Sequence, residues 1–203
     1  MDMVKLSEKV NPKTTALLII DMQKDYCCEG GIFDKMGFDY EIPKQLSSIL
    51  SDFVDLARKV LDHIVHIKMA HIPELASFAT KEHYARVGLQ REINPTFSEF
   101  YGVKPIEGEI VIPKYRYSAF VSTYLDKLLR ANGIKTLVVT GVATNVCVES
   151  TVRDGFMLDY QVVVPKDLTE ATEAGAKKWS LRNIETFFGE VVDSKNLLDC
   201  WGL

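Results

Sequence analysis

The sequence predicts an α/β fold, a mostly parallel sheet covered by helices on both faces. Three observations carry the prediction. Short runs of strand length alternate with stretches whose apolar residues recur every three or four positions. The strand-like runs are apolar throughout rather than alternating, as expected of strands buried on both faces. The segments between them are long enough for the crossovers that parallel neighbours require, and such crossovers are almost always right-handed.

Ala16-Leu17-Leu18-Ile19-Ile20 is the first strand. From Ile42 to Leu61 apolar residues fall at 42, 46, 49, 53, 57 and 60, the spacing of an amphipathic helix. Ile64 to Met69 reads as a second strand and Glu109 to Ile112 as a third, stopped by Pro113. Ser122 is placed to cap a helix running through Arg130, with Asn132-Gly133 as its left-handed end. Thr136 to Thr140 is the next strand, followed by GVATN and a helical stretch from Cys147 to about Phe156. Gln161 to Val164 is a strand stopped by Pro165, Thr172 to Phe188 is helical, and Glu190 to Val192 is a last short strand. His71 to Gly108 breaks the rhythm with weak periodicity, prolines and several aromatics, and is long for a connection in a compact domain. Residues 71–108 are therefore read as an insertion folding over the sheet edge, in a lid position, within a single domain spanning 1–203.

Composition sets the outer limits. With 203 residues, 47% of them hydrophobic and 26% charged, the chain can bury a sizeable core, which excludes wholesale disorder. Lys plus Arg at 24 against Asp plus Glu at 28 leaves a net charge of −4, so there is no basic face for nucleic acid and no polybasic membrane patch. Apolar runs fall far short of a membrane span, and MDMVKLSEKVNPK lacks the apolar centre of a secretory signal. Cys27, Cys28, Cys147 and Cys200 match neither a disulfide framework nor a metal clip. A reduced, cytoplasmic protein is expected.

Ligands of open α/β sheets sit beyond the carboxyl ends of the strands. Each of three such ends carries a reactive residue: Asp21 after the first strand, Lys114 after the third, and Cys147 after TLVVTGVATNV. Each also has a plain structural role open to it. A cysteine is usually a small buried hydrophobe, an aspartate after a strand is commonly a turn or cap, and a lysine is usually solvated. The chemical reading joins them. Cys147 at a helix start, with a lysine nearby, would have its pKa lowered towards the nucleophilic thiolate. Asp21 would serve as general base, and Lys114 would bridge both in their charged forms. Backbone amides of Ala143 and Cys147 could form an oxyanion hole. No G-x-G-x-x-G or P-loop string occurs, so a phosphate cradle has no support.

IIDMQKDYC, IPKYRYSAF and TGVATNVCVESTVRDG occur in this order at the expected strand ends. Together they resemble the isochorismatase-like cysteine hydrolases, and the likeness runs from residue 14 to about 192. It implies a three-layer α-β-α Rossmann-like fold with a catalytic triad of Asp21 as base, Lys114 as bridge and Cys147 as nucleophile. It further implies a cis Val142–Ala143 peptide that directs the Ala143 N–H into the oxyanion hole. Isochorismatases that cleave a vinyl ether lack the cysteine, so Cys147 favours C–N hydrolysis. PKYRYSAF, GVATNVCVESTVRDGF and NIETFFG look most like ureidoacrylate amidohydrolases, with biuret and triuret hydrolases sharing much of the nucleophile segment. The implied activity is cysteine-dependent cleavage of a ureido or N-carbamoyl compound through an acyl-thioester, releasing carbamate.

A nicotinamidase-like carboxamide hydrolase and a redox-sensing thiol protein of the same fold stay open as alternatives. The former carries a metal held by an Asp-x-His pair and a later His, whereas His63, His66, His71 and His83 stand outside that pattern. No metal and no cofactor are expected. Gln23, Tyr26, Asn94, Arg116 and Tyr117 are candidate substrate-binding residues, with Arg116 suited to a carboxylate. Cys27 and Cys28 are read as core or loop filling. The expected partner is a small ureide or amide, not nucleic acid or membrane, and relatives suggest a homo-oligomer, dimer or tetramer.

Overall fold

Residues 4–88 and 94–203 are described by the computed structural model. Seven strands form one sheet: β1 (Thr15–Ile20), β2 (His63–Met69), β3 (Ile110–Lys114), β4 (Thr136–Val142), β5 (Gln161–Pro165), β6 (Thr169–Glu170) and β7 (Glu190–Val192). The order is β3-β2-β1-β4-β5-β7, with β6 paired to the end of β4, and every ladder is parallel. The longer helices are α1 (Glu41–Ala57), α2 (Phe78–Arg86), α3 (Leu125–Ala131), α4 (Glu149–Met157), α5 (Ala174–Phe187) and α6 (Ser194–Trp201). They flank the sheet. α1 packs with α6, Phe53 lying 5.8 Å from Trp201, while α4 packs with α5. Among the described residues no helix is long and apolar enough to cross a membrane.

The centre of the sheet follows from composition. All six residues of β1 and all seven of β4 are buried, so these continuous apolar runs are stable only between two helical layers. Their ladder runs from Thr15 opposite Thr136 to Ile20 opposite Gly141. Gly141 has φ +99°, and a Cβ there would lie 2.1 Å from the Ile20 carbonyl oxygen, so only glycine lets the two strands close at this end.

Several expectations need correction. β3 does not stop at Pro113 but continues to Lys114. It is an edge strand, where a residue without an N–H on the outer side is tolerated. β5 likewise runs through Pro165. The core stripe of α1 is Pro43, Leu46, Ser47, Leu50, Phe53, Val54 and Ala57, whereas Ile49 is exposed and the helix ends at Ala57. Ser122 does not cap α3. It has φ +58°, and the Thr123 hydroxyl accepts from the Leu125 N–H instead. The left-handed Gly133 stands where Asn132-Gly133 placed it.

The sequence reading did not anticipate α6. Asp193 and Asn196 form a reciprocal capping box, left-handed Gly202 closes the other end, and Trp201 Nε1 donates to the Val10 carbonyl at 2.9 Å. In the 71–108 insertion α2 buries none of its residues, and single turns stand at Pro73–Leu75 and Pro95–Ser98. This segment meets the turn that follows β1 through an isolated antiparallel bridge between Gln23 and Phe100. Its residues 89–93 lie outside the described residues.

Candidate active site

The chain leaves β1 towards β2 and β3 on one side and later leaves β4 towards β5 and β7 on the other. Such a reversal opens a crevice at the carboxyl ends of the two central strands. Asp21 stands at the end of β1 in the left-handed region, with φ +52°. Its N–H donates to the Ile67 carbonyl at 2.9 Å and its carbonyl accepts from the Gln23 N–H at 2.8 Å, which holds the sharp turn. Aspartate is one of the few side chains that visit this region.

Lys114 ends β3 opposite Met69, and Cys147 lies in a π-helical turn, Thr144–Val148, that leads into α4. Wide turns of this kind are frequent at functional sites. The three side chains meet. Lys114 Nζ is 2.7 Å from Asp21 Oδ2 and donates to Cys147 Sγ at 3.3 Å and to the Arg116 carbonyl at 3.3 Å. Asp21 and Lys114 are fully buried, and Cys147 keeps 5% of its surface exposed. The carboxylate is also within hydrogen-bonding range of the thiol, and neither of its oxygens accepts a backbone N–H among the described residues.

The electrostatics correct one expectation. Burial pushes the Cys147 thiol up to about 12, Lys114 pulls it down, and Asp21 pushes it up again. Lysine and helix start therefore do not hold a resting thiolate, because desolvation and the adjacent carboxylate outweigh them. Burial also works against the Lys114 ammonium, but Asp21 and Cys147 together hold its pKa above the ordinary value. The resting cluster is a carboxylate–ammonium ion pair beside a neutral thiol. Such a set can move the thiol proton to the carboxylate and leave a sulfur nucleophile beside a cation.

Residues that the motif reading passed over fix the turn that carries Cys147. The Thr151 hydroxyl donates to the Cys147 carbonyl at 2.7 Å and accepts from the Ala119 N–H at 3.0 Å, tying the turn to the segment after Lys114. Ser180 on α5 donates to the Thr144 carbonyl at 3.0 Å, and the Thr144 and Thr169 hydroxyls lie 2.7 Å apart. Thr151 follows the cysteine by one helical turn in CVEST, the one signal available in sequence. The Val142–Ala143 peptide is cis, Ala143 is the residue before the turn and Cys147 is the fourth residue within it.

The candidate substrate-binding residues separate. Gln23 is buried and clasps the end of β2: its Oε1 accepts from the Met69 N–H at 2.7 Å, and its Nε2 donates to the Met69 and Ser98 carbonyls at 3.1 Å each. Tyr26 packs edge-on against Phe33, ring centres 5.0 Å apart. Exposed Asn94 accepts from the Thr96 N–H and caps a turn. Arg116 and Tyr117 instead line a cavity of about 730 Å³ between the insertion and the ends of β2 and β3. Cys27 is buried and, like Cys147, pushed up to about 12 by burial, while Cys28 is half-buried. Buried His66 pairs with Glu109 at 2.8 Å, and His71 lies 3.5 Å from Asp25. Among the described residues no group of three or more His, Cys, Asp or Glu is arranged to hold a metal ion.

The description of one protein family, the isochorismatase domain, matches residues 15–196. The chain is 39% identical over 199 aligned positions to the ureidoacrylate amidohydrolase RutB of Klebsiella pneumoniae, covering 90% of this chain and 84% of that protein. Among solved structures, a cysteine hydrolase from Pseudomonas syringae pv. phaseolicola superposes with a TM-score of 0.82 at 24% identity, covering 95% of this chain and 94% of the other. An isochorismatase family protein from Desulfovibrio vulgaris superposes with a TM-score of 0.76 at 28% identity, covering 94% and 99%.

Proposed function

The chain belongs to the isochorismatase family, and from that premise we propose that it is a cysteine-dependent amidohydrolase that cleaves a C–N bond of a ureido or N-carbamoyl compound. The observation that carries the reading is the buried contact set in which one ammonium lies 2.7 Å from the Asp21 carboxylate and 3.3 Å from the Cys147 sulfur. The ureide as substrate class is supported by the likeness to ureidoacrylate amidohydrolase.

In this mechanism Asp21 takes the Cys147 proton as the sulfur attacks the ureido carbonyl carbon. The Ala143 and Cys147 amides are assigned to the developing oxyanion. Lys114 stays charged throughout and offsets whichever neighbour is anionic. Collapse of the tetrahedral intermediate breaks the C–N bond, and protonated Asp21 returns its proton to the departing nitrogen. The carbamoyl group remains on sulfur as an acyl-thioester. Water activated by Asp21 then cleaves the C–S bond, restoring the thiol and releasing carbamate, which decays to ammonia and carbon dioxide. The reading includes a cytoplasmic homo-oligomer of two or four copies, which sedimentation velocity on the purified chain would check.

The test is ammonia release from 3-ureidoacrylate, biuret, triuret, N-carbamoyl amino acids and nicotinamide, with mass spectrometry of acid-quenched protein. Ureide turnover, loss of it in Cys147→Ala and Cys147→Ser, and a single carbamoyl group on the Cys147 peptide are the expected results. Full activity in either variant removes the cysteine mechanism. Turnover of nicotinamide alone, lost on chelation, replaces the ureide with a simple carboxamide.

A further inference from the structure

Glu149 opens α4 two residues after Cys147, and its carboxylate has no part in the proposed chemistry. A pairing with the arginine four residues on is common on helix surfaces, where it contributes little. This one differs: the Glu149 side chain is only 14% exposed and gathers donors from two helices. Its Oε1 accepts from Arg153 Nε at 3.0 Å and Nη2 at 2.6 Å, and from Asn183 Nδ2 of α5 at 2.5 Å. Its Oε2 accepts from the Ser180 hydroxyl of α5 at 2.6 Å. Arg153 lies in turn 4.4 Å from the centre of the Phe188 ring, which steadies the guanidinium from its other side.

The same hydroxyl reaches the turn that carries Cys147. Ser180 shares its one proton between Glu149 Oε2 and the Thr144 carbonyl, 3.0 Å away. That carbonyl also accepts from the Glu149 N–H, five residues further on. A closed ring results, running from the Glu149 amide through the Thr144 carbonyl and the Ser180 hydroxyl to the Glu149 carboxylate. The Val148 N–H makes a second five-residue bond, to the Ala143 carbonyl at 3.1 Å. In an α-helix each carbonyl takes the N–H four residues on, so relaxing this turn shifts its register by one residue, a rotation of about 100°. Cys147 lies within the span that the ring closes, its sulfur 3.3 Å from Lys114 Nζ. A rotation of that size withdraws the sulfur from Lys114 and Asp21 together.

We propose that Glu149 is a positioning residue: through Ser180 its carboxylate keeps the Thr144–Val148 turn at its wide spacing, and so keeps the Cys147 sulfur against Lys114 and Asp21. The kinetic consequence rests on the amidohydrolase reading; the structural one does not. A nucleophile displaced by about 1 Å loses about a hundredfold in rate. The loss belongs to the chemical step, so kcat falls while KM holds. Glutamine in place of Glu149 keeps the tether without the charge. Its Oε1 still accepts from Arg153 and Asn183, and its Nε2 donates to the Ser180 oxygen, whose proton then goes wholly to Thr144.

The test joins steady-state kinetics on 3-ureidoacrylate with hydrogen exchange at the Val148 amide, which reports the wide turn directly. Glu149→Ala should lose about a hundredfold in kcat with KM within about threefold of wild type, and Val148 should exchange at least about tenfold faster. Glu149→Gln should stay within about tenfold of wild-type kcat, with exchange unchanged. Ser180→Ala should resemble Glu149→Ala, and the double variant should be no worse than the weaker single one, because both cut the same ring. Wild-type kcat in Glu149→Ala or in Ser180→Ala, equal losses in Glu149→Ala and Glu149→Gln, or losses that multiply in the double variant overturn the proposal. Should Glu149→Ala fail to fold, Ser180→Ala and Glu149→Gln carry the same decision. If wild-type protein turns over no ureide, the amidohydrolase reading falls and exchange at Val148 decides alone: faster exchange in Ser180→Ala upholds the positioning role, and unchanged exchange overturns it.

Discussion

Replacing Lys114 by methionine tests the buried cluster at its strongest contact. Lys114 and Asp21 are both fully buried with 2.7 Å between nitrogen and oxygen, so methionine leaves the carboxylate facing an apolar side chain and a thiol. Breaking such a pair from one side costs about 3–5 kcal/mol, most of it the penalty of an uncompensated buried charge. For a chain of this length each kcal/mol lowers Tm by about 2–4 °C, so the variant should melt about 6–20 °C lower. Asp21→Asn keeps the shape and, like aspartate, tolerates the left-handed backbone. It should restore much of the loss when combined with Lys114→Met, because both charges are then gone. Urea denaturation of wild type, both single variants and the double variant yields a coupling energy, expected to be at least about 2 kcal/mol. All three variants should be inactive. Additivity within about 0.5 kcal/mol, or a cost below about 1 kcal/mol for Lys114→Met, would refute the ion pair as the organising contact.

Three further outcomes are open to measurement. Burial raises the Cys27 and Cys147 thiols from 9.0 to about 12, so the folded protein keeps protons that the unfolded chain releases. Their contribution to stability is complete below pH 9.0 and is lost as pH climbs towards 12. Urea midpoints across that range should fall, and Cys147→Ala should flatten the slope; the resting protein should also lack ultraviolet thiolate absorbance at neutral pH, and its presence there would contradict the protonated thiol. Gly141→Ala must place a methyl group 2.1 Å from the Ile20 oxygen at φ +99°. It should destabilise by more than about 3 kcal/mol in chemical denaturation, and a loss under about 1 kcal/mol would mean that β1 and β4 can part without consequence.

The central sheet was readable because its signal is local. TALLII and TLVVT are apolar apart from their threonines and buried at every position, and little besides a strand between two layers hides such a run. The ends of elements were less readable where tertiary position decides them. Pro113 stops a central strand but not an edge strand, and sequence does not mark β3 as the edge. The phase of α1 slipped because Pro43 and Ser47 face the core while the larger Ile49 faces water. At the site, Asp21, Lys114 and Cys147 stood out as reactive residues at strand ends. Gln23 was marked as a polar residue near the site, but its partners at Met69 and Ser98 are chosen by the fold. Thr151 and Ser180 are ordinary helix residues until the Cys147 turn is packed against them.

A thiol pushed up to about 12 looks at first unsuited to a nucleophile. That value concerns loss of the proton to bulk water, which would leave two anions and one cation sealed beyond solvent. The proposed reaction needs a different transfer. Moving the proton from Cys147 to Asp21 leaves a thiolate, an ammonium and a neutral acid, the same net charge as before. Lys114 touches both ends, 2.7 Å from one and 3.3 Å from the other, so it compensates the negative charge on either side of the transfer. Burial penalises the ionised thiol against water but bears far less on exchange between two buried acids that share one cation. The same enclosure strengthens the pull of Lys114 on the nascent thiolate. In the proposed mechanism, burial thus keeps the sulfur protonated and inert towards solvent while leaving open a route by which it becomes a nucleophile, through its own carboxylate.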